Sequence, residues 1–474
     1  MCILRQGSLP YGTARARSVC KHTLYLGIKD LEEKGLLKVV KFGGSSLANA
    51  EQFKKVGDII KSDKDRHFAI PSAPGKRFNT DVKVTDLLYK CQEKAVNNED
   101  FSEEFEDIKS RYNEIIEGLG ISLSLEEEFA LIEKNLKEKA GKDYAASRGE
   151  YLNGIIMANY LDFTFVDAAT VLFFNKEGVF DSEKTNEVLG KKLKKVEYAV
   201  IPGFYGSLPD GTIKTFSRGG SDITGAIVAR AIKADIYENW TDVSGFLVAD
   251  PRIIYNPEPI DIITYKELRE LSYMGASVLH EDSIFPVRKA GIPVNIKNTN
   301  APEDPGSWIV ESTGQKSKYV ITGIAGRKGF SAINIDKDMM NVEVGFGRKV
   351  LQAFEENDIS FEHMPSGIDT MTLFVEQKAF EPKEQLVISA IHKLAEPDSI
   401  EIESGIALIA VVGRGMKSAR GTAGRIFAAL AHARINVRMI DQGSSELNII
   451  IGVDNDDFEF AIKAIYDIFV EVQL

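Results

Sequence analysis

Two short runs in this chain have the residue types and spacing to hold phosphate. Lys41-Phe42-Gly43-Gly44-Ser45-Ser46 follows the apolar stretch Leu36–Val40, and Ser217-Arg218-Gly219-Gly220-Ser221-Asp222 opens an apolar-periodic helix. Glycines let a backbone approach an anion closely, and consecutive N–H groups at a strand end or helix start form an anion nest. A lysine adds a point charge where phosphoryl charge develops. No GxxxxGK[ST] run is present, which argues against a P-loop NTPase.

The elements that must position these runs read as an alternating α/β chain. Leu36–Lys41 is expected to be a buried strand and Ala50–Lys61 the helix after it. Phe68–Pro71 is a second strand, ending in the turn Pro71-Ser72-Ala73-Pro74-Gly75. The charged stretch 97–143 reads as helical, with Phe101, Phe105, Ile108, Tyr112 and Ile115 on one face and its charges on a solvated one. Strands are expected again at 163–167, 198–203, 235–240 and 293–296. Such alternation implies a mainly parallel sheet covered by helices on both faces. Ligands of these sheets sit at the carboxyl ends of strands, where Gly43, Ser72 and Thr241 fall.

Composition limits the partners. The chain has 474 residues, long enough for two or three domains, and a net charge of −12. That charge argues against nucleic-acid and membrane partners, so an anionic ligand such as ATP must meet local cations. No apolar run reaches the length of a membrane span. Cys2, Cys20 and Cys91 fit neither a zinc spacing nor a disulfide framework, which reads as a reducing cytoplasm. The six histidines make no metal motif, so any metal is expected to come with the nucleotide. Residues 1–29 are basic and acid-free, as a leader, an extension or a targeting segment would be.

Beyond the Pro-containing stretch 298–306 the pattern changes to short units with an internal repeat at an offset of about 76 residues. Gly345 matches Gly421, Phe354 matches Leu430 and Ile359 matches Ile435. Each copy reads strand, helix, strand, strand, helix. A separate strand at 319–325 is expected to complete the second sheet, so that the first unit is inserted into the second. The run Val412–Ser418 has glycines and a lysine but not the phosphate-loop spacing, and it reads as a structural turn.

Together these residues resemble the aspartokinases, the branch of the amino-acid kinase superfamily that carries paired ACT modules. The resemblance covers about residues 38 to 474. It rests on the ordered set KFGGSS (41–46), SRGE (147–150), PGFYGSLPDGTIKTFSRGGSD (202–222), WTDVSGFLVADPR (240–252), GASVLH (275–280) and IDQGSSELNI (440–449). It implies an amino-acid-kinase fold followed by two ferredoxin-like βαββαβ ACT modules. The implied division is 1–36 extension, 37–300 catalytic domain, 301–316 linker, 317–328 a strand lent to the second module, 329–403 first module and 404–474 second module.

The resemblance also implies the reaction and its residues. ATP with Mg²⁺ would phosphorylate the β-carboxylate of L-aspartate, opening lysine, threonine and methionine biosynthesis. The acceptor carboxylate is already ionised at neutral pH, so no general base is needed. Lys41 aligns with a transition-state lysine and Asp222 with its partner; Gly43, Gly44, Ser45 and Ser72 align with the phosphate turns. Thr85, Glu150, Arg218, Gly219, Gly220 and Ser221 align with substrate contacts, Glu150 taking the ammonium and Arg218 the α-carboxylate. Thr241, Asp242, Leu247, Asp250, Arg252 and Ser277 align with nucleotide contacts. Met340, Gly345, Phe346, Gly347, Phe361, Glu362 and Ser366 align with an effector site, where the charge of Glu362 favours lysine over threonine. A homodimer or higher homo-oligomer is implied.

Three positions depart from the family pattern. Ser277 stands where many members have lysine, Ser217 replaces a common glycine and Glu281 a common proline. Other amino-acid kinases, for carbamate, glutamate or acetylglutamate, usually lack the paired modules and the SRGE and QGSSE runs. A catalytically dead sensor would be expected to lose Lys41, Glu150 or Arg218, and all three are present. A fused dehydrogenase is not expected, because the second repeat ends the chain.

Overall fold

The structure is a computed structural model that describes residues 35–471 apart from 218, 277, 278, 280 and 316. The basic run 1–29 lies outside them. The strands of the first half are β1 (Lys38–Phe42), β2 (Arg66–Pro71), β3 (Thr164–Phe165), β4 (Ala199–Val200), β5 (Tyr205–Ser207), β6 (Ile213–Thr215), β7 (Ile236–Thr241), β8 (Phe246–Leu247), β9 (Pro259–Ile260), β10 (Ile262–Thr264), β11 (Val294–Asn298) and β12 (Ser307–Val310). Eight of them form one sheet in the order β10-β12-β11-β7-β1-β2-β4-β3. Every pairing in it is parallel except β11 with β12. β5–β6 and β8–β9 are separate hairpins.

β1 shows why this sheet is covered on both sides. Its side chains alternate between two apolar cores, Val39 entering one and Val40 and Phe42 the other. A strand buried on both faces needs a nearly continuous apolar sequence, and Lys-Val-Val-Lys-Phe supplies it except at its two lysines. On one face lie α1 (Ala50–Lys61), α2 (Val84–Val96), α3 (Ser102–Leu119), α4 (Glu126–Lys137) and α5 (Lys142–Leu161). On the other lie α6 (Ser182–Leu193), α7 (Gly220–Ile232), α8 (Tyr265–Tyr273) and α9 (Phe285–Ala290). The helical face expected in 97–143 is buried as its periodicity implied.

One boundary differs from the sequence reading. Residues 307–310, expected within a linker, form β12 of the main sheet, with Ile309 fully buried. Pro302 and Pro305 mark only the turn into it. The run Ser-Trp-Ile-Val is too short to announce a strand by its own pattern, and its pairing with β10 on one side and β11 on the other makes it one.

The second half is an antiparallel sheet with helices α10 (Phe346–Glu355), α11 (Gln377–Phe380), α12 (Glu384–Ala395), α13 (Thr422–His432) and α14 (Phe458–Tyr466). Its strands are β13 (Gly323–Asp336), β14 (Phe361–His363), β15 (Thr370–Glu376), β16 (Ser399–Val412), β17 (Met439–Asp441) and β18 (Asn448–Asp454), in the order β14-β15-β13-β16-β18-β17. The repeat is visible in it, since α13 begins 76 residues after α10. The strand expected at 319–325 starts only at Gly323 and does not stop. β13 and β16 are each 14 residues long and pair along their lengths, with a register shift beside Gly329 at φ +89°. The first part of β13 and the last part of β16 go with β18; the other parts go with β15. The two repeats therefore share their central strands.

The halves are joined through buried polar contacts. Glu267 of α8 is fully buried. It completes a capping box with Thr264 and accepts hydrogen bonds from the Thr322 hydroxyl (2.6 Å) and the Arg414 backbone (2.9 Å). Arg414 Nη1 lies 3.0 Å from its Oε2. Burial alone would push this carboxyl up, but the bonds from Thr322 and Thr264 and the Arg414 charge hold it below the usual range. The Val412–Ser418 run is thus a structural turn that grips α8. No helix among the described residues is long and apolar enough to cross a membrane.

Phe354 anchors α10 to the second sheet and is 1% exposed. Phe354→Ala should cost about 3–5 kcal/mol, read as a lower urea midpoint for the second half. A change below about 1 kcal/mol would show that this helix does not hold the sheet.

Candidate active site

Lys41 is the penultimate residue of β1 and is 8% exposed. Its Nζ lies 2.6 Å from Asp222 Oδ1, in the first turn of α7, and 3.4 Å from Asn239 Oδ1 of β7. Asn239 also donates to Asp222 Oδ1 at 2.8 Å. A buried ammonium in this position needs such partners. Nothing in the sequence around Asn239, which sits between Glu238 and Trp240 in β7, signals this role.

After β1 the chain turns sharply. Gly43 N–H donates to Trp240 O (3.0 Å), and residues Ser45–Leu47 form one 3₁₀ turn. The second turn, Ser72–Gly75, follows β2 directly. The two touch, because Gly75 N–H donates to Gly44 O at 2.8 Å. A Cβ on Gly75 would stand 2.6 Å from the Gly44 carbonyl carbon, and one on Gly44 would stand 2.8 Å from Ala73 O. Only glycine permits that approach. Ser72 is fixed from both sides: its N–H donates to Phe42 O (3.1 Å), and its carbonyl accepts from Asn153 Nδ2 (2.6 Å).

Asn153 and Glu150 lie one turn apart on α5, a helix buried on most of its surface. Gly149 lets α5 pack against this turn, since a Cβ there would meet Ala73 Cβ at 2.8 Å and Thr85 Oγ1 at 3.8 Å. Glu150 is 6% exposed, and its Oε2 has no hydrogen-bond partner among the described residues. Burial pushes its carboxyl up to about 8, although the Ala73 backbone hydrogen bond and the Arg148 charge oppose the rise. Arg148 itself is stacked among Tyr144, Tyr151 and Tyr205, with its guanidinium 4.5–5.3 Å from their ring centres. Thr85 sits in the first turn of α2, whose N-cap is Lys83, so it is not the capping residue.

Gly219, at φ +56°, caps α7 and turns Gly220, Ser221 and Asp222 into its first turn. Ser221 packs against Gly203, where a Cβ would lie 2.6 Å away. Arg218 and Ser277 lie outside the described residues. Thr241 ends β7 opposite Asn298 of β11, one residue past the Trp240 that pairs with Phe42 of β1, and its hydroxyl donates to Asp242 Oδ1 at 3.2 Å. Leu247 is in the β8–β9 hairpin. Asp250 and Arg252 follow and form a local two-pronged pair, with Arg252 Nε 3.0 Å from both Asp250 oxygens. That arginine hydrogen bond holds the Asp250 carboxyl below its usual range.

The structure thus gathers Lys41, Gly43–Ser45, Ser72, Glu150, Asp222 and Thr241 around the carboxyl ends of β1, β2 and β7. The residues aligned with an effector site are about the start of α10 and on β14, in the second half. Gly345, at φ +86°, caps α10, while Met340 and Phe346 are packed into the core. Gly347 and Ser366 are next to Met371, the first by its Cβ position and the second by a β-bridge. Phe361 is half-exposed at the sheet edge. Glu362 is 12% exposed at its side chain and lies 3.4 Å from Arg327 Nη2 of β13. Burial, with a hydrogen bond to Glu362, pushes the Tyr273 hydroxyl of α8 up to about 12.

Comparison with known proteins fits this geometry. A family model described as the amino acid kinase family matches residues 37–298, and an ACT domain model matches 409–469. Aspartokinase 3 of Bacillus subtilis is 39% identical over 448 residues, covering 91% of this chain and 98% of that protein. The chain belongs to the aspartokinase family. The crystal structure of aspartate kinase from Clostridium acetobutylicum has a TM-score of 0.85 at 53% identity, covering 92% of this chain and all of that one. Aspartokinase III of Escherichia coli, solved with aspartate and ADP, shares the fold at 24% identity and a TM-score of 0.69, over 91% of this chain and 99% of that one. As an aspartokinase-family member the chain is an ATP-dependent phosphotransferase with a carboxyl acceptor.

A carboxyl at about 8 must lose its proton before it can bind an ammonium. For this aspartokinase, kcat/KM for the amino acid should therefore rise with pH and level off above about pH 8. Glu150→Gln should remove that limb and lower kcat/KM by at least ~10-fold. An unchanged pH profile in the variant would refute the assignment.

Proposed function

We propose that this aspartokinase transfers the γ-phosphoryl of ATP to the β-carboxylate of L-aspartate, giving 4-phospho-L-aspartate at the head of lysine, threonine and methionine biosynthesis in the cytoplasm. The observation that carries this reading is the buried Glu150 beside the phosphate turns. Its unpartnered oxygen is a cation-seeking group next to two anion-seeking loops. An amino acid with a second carboxylate satisfies both at once, its ammonium on Glu150 and its reactive carboxylate toward Lys41.

In this reading the catalytic work is positioning and charge stabilisation. Beside Gly43, whose N–H is held by Trp240 O, Gly44 and Ser45 offer N–H groups and Ser45 and Ser72 offer hydroxyls to the transferred phosphoryl. Lys41, oriented by Asp222 and Asn239, meets the charge that builds on its equatorial oxygens. Arg218, Gly219, Gly220 and Ser221 hold the α-carboxylate, Arg218 by its planar fork, and Thr85 closes the substrate side. Thr241, Asp242, Leu247, Asp250, Arg252 and Ser277 bind the nucleotide. Mg²⁺ travels with the nucleotide phosphates, which needs only one or two protein carboxylates. Asp222 is the carboxylate placed at that end, and no group of three or more metal-ligating side chains exists among the described residues.

The paired ACT modules support feedback by an amino acid, with lysine favoured. Its carboxylate would meet the start of α10 at Gly345–Gly347, and its ε-ammonium would meet Glu362. The Glu362 Oε2 atom is buried without a partner among the described residues, as a site awaiting a cation would be. Around the same helix start Met339, Val342, Val344 and Ile368 are 60–97% exposed, and Lys337 N–H ties the two loops that carry them by donating to Asp369 O. That apolar patch supports pairing of first modules across a two-fold axis in a homodimer or larger assembly. The catalytic unit in this reading is 37–310, with the inserted first module and the enclosing second module sharing β13 and β16.

Lys41→Ala should lower kcat by at least ~100-fold, the scale of losing one electrostatic stabiliser. A near-normal kcat with only a raised KM for ATP would show that Lys41 binds the ground state alone. Lysine should inhibit, and Glu362→Ala should weaken that inhibition by ~10-fold or more, since an ion-pair hydrogen bond is lost. Inhibition by threonine alone, or lysine inhibition untouched by the substitution, would defeat the effector assignment.

A further inference from the structure

The charged helix α3 contains one residue that its solvated face does not explain. Arg111 is 4% exposed, in the core that covers β1 and β2. Its guanidinium donates to four groups: Gly75 O at 2.7 Å, Ala48 O at 3.4 Å, Val82 O at 3.2 Å and Asp81 Oδ2 at 3.1 Å. Asp81 is oriented in turn by Arg77, whose Nε and backbone N–H donate to the same oxygen at 3.0 and 2.8 Å.

The three carbonyls come from three different segments of the site. Ala48 follows the 3₁₀ turn Ser45–Leu47, Gly75 ends the second phosphate turn, and Val82 leads into α2, whose first turn carries Thr85. One planar cation therefore sets the spacing of all three. The two turns are already in contact through Gly44 and Gly75 with no room for a Cβ, so a shift at Gly75 is transmitted to Gly44 and Ser45. Nothing but a guanidinium presents forked donors in one plane to this set; an ammonium cannot.

We propose that Arg111 is a positioning residue for phosphoryl transfer, whose guanidinium fixes the two phosphate turns and the Thr85 helix relative to one another without touching substrate. This rests on the reading of the two turns as the phosphate site. Misplacement of such turns by about 1 Å costs on the order of 100-fold in rate, so the effect belongs in kcat.

The test uses the full chain with Arg111→Lys, Arg111→Met and Arg111→Ala. Arg77 still pairs Asp81 in each, so no carboxylate is stranded. Thermal midpoints are measured first, and assays are run well below the lowest one, where a purely stabilising arginine would leave kcat untouched. The expected result is a kcat lowered about 10–100-fold in all three variants, with KM for ATP changed by less than about 3-fold. Guanidinium ion at non-denaturing concentration should restore activity to Arg111→Ala, which leaves a space of its size. It should not restore Arg111→Met, which fills that space, and sodium chloride at equal ionic strength should restore neither. A kcat within about twofold of the parent, or a loss that guanidinium does not repair in Arg111→Ala, overturns the proposal. Lys41→Ala assayed alongside separates the two readings: if it too keeps its kcat, the phosphate site is misassigned; if only the Arg111 variants keep theirs, the positioning role alone fails.

Discussion

The site is organised around a buried ammonium. Lys41 stands at the end of a central strand, where desolvation costs several kcal/mol unless an opposite charge repays it. Asp222 repays it at 2.6 Å, and Asn239 orients that aspartate from the neighbouring strand. This one pair ties β1, β7 and the start of α7 to a common point. It explains why α7 must begin here and why Gly219 takes a left-handed conformation to begin it. The surrounding turns inherit their placement from the same strands, because Gly43 and Ser72 are each the first residue beyond one.

Much of this is legible in the sequence. The glycine–serine runs, their position after apolar stretches and the strand–helix alternation all carry local signals, and α1 falls at 50–61 as its periodicity implied. The repeat was legible because helices α10 and α13 keep the same offset. What was not legible depends on long-range pairing. β12 is a four-residue strand identified by its partners rather than its own pattern. The fusion of two expected strands into β13 is decided by β16, far along the chain. Asn153, Asn239 and Arg111 read as ordinary polar residues until the elements around them are assembled.

The two halves are not loosely tethered. Glu267, buried in α8, is shared by the catalytic half, the connecting segment at Thr322 and the turn at Arg414. The β8–β9 hairpin is joined to β13 by a main-chain hydrogen bond from Ile324 to Val248 O at 2.7 Å, and the Tyr466 hydroxyl accepts from Glu258 N–H at 2.9 Å. A displacement of the second sheet therefore moves the β8–β9 hairpin and α8 together. An effector can use such a connection only by binding two arrangements of it with different affinity.

The shared strands β13 and β16 have a consequence for ancestry and for protein engineering. Two repeats that began as tandem copies would each own four strands and could be cut apart like beads. Here each long strand serves one copy with its front portion and the other with its rear, so no cut in the polypeptide separates them. A chimera that exchanges one repeat for another must splice inside both strands at once, near Gly329 and Gly405, where left-handed glycines already interrupt the ladder. Recombination at any other point would hand one copy a strand cut for the other.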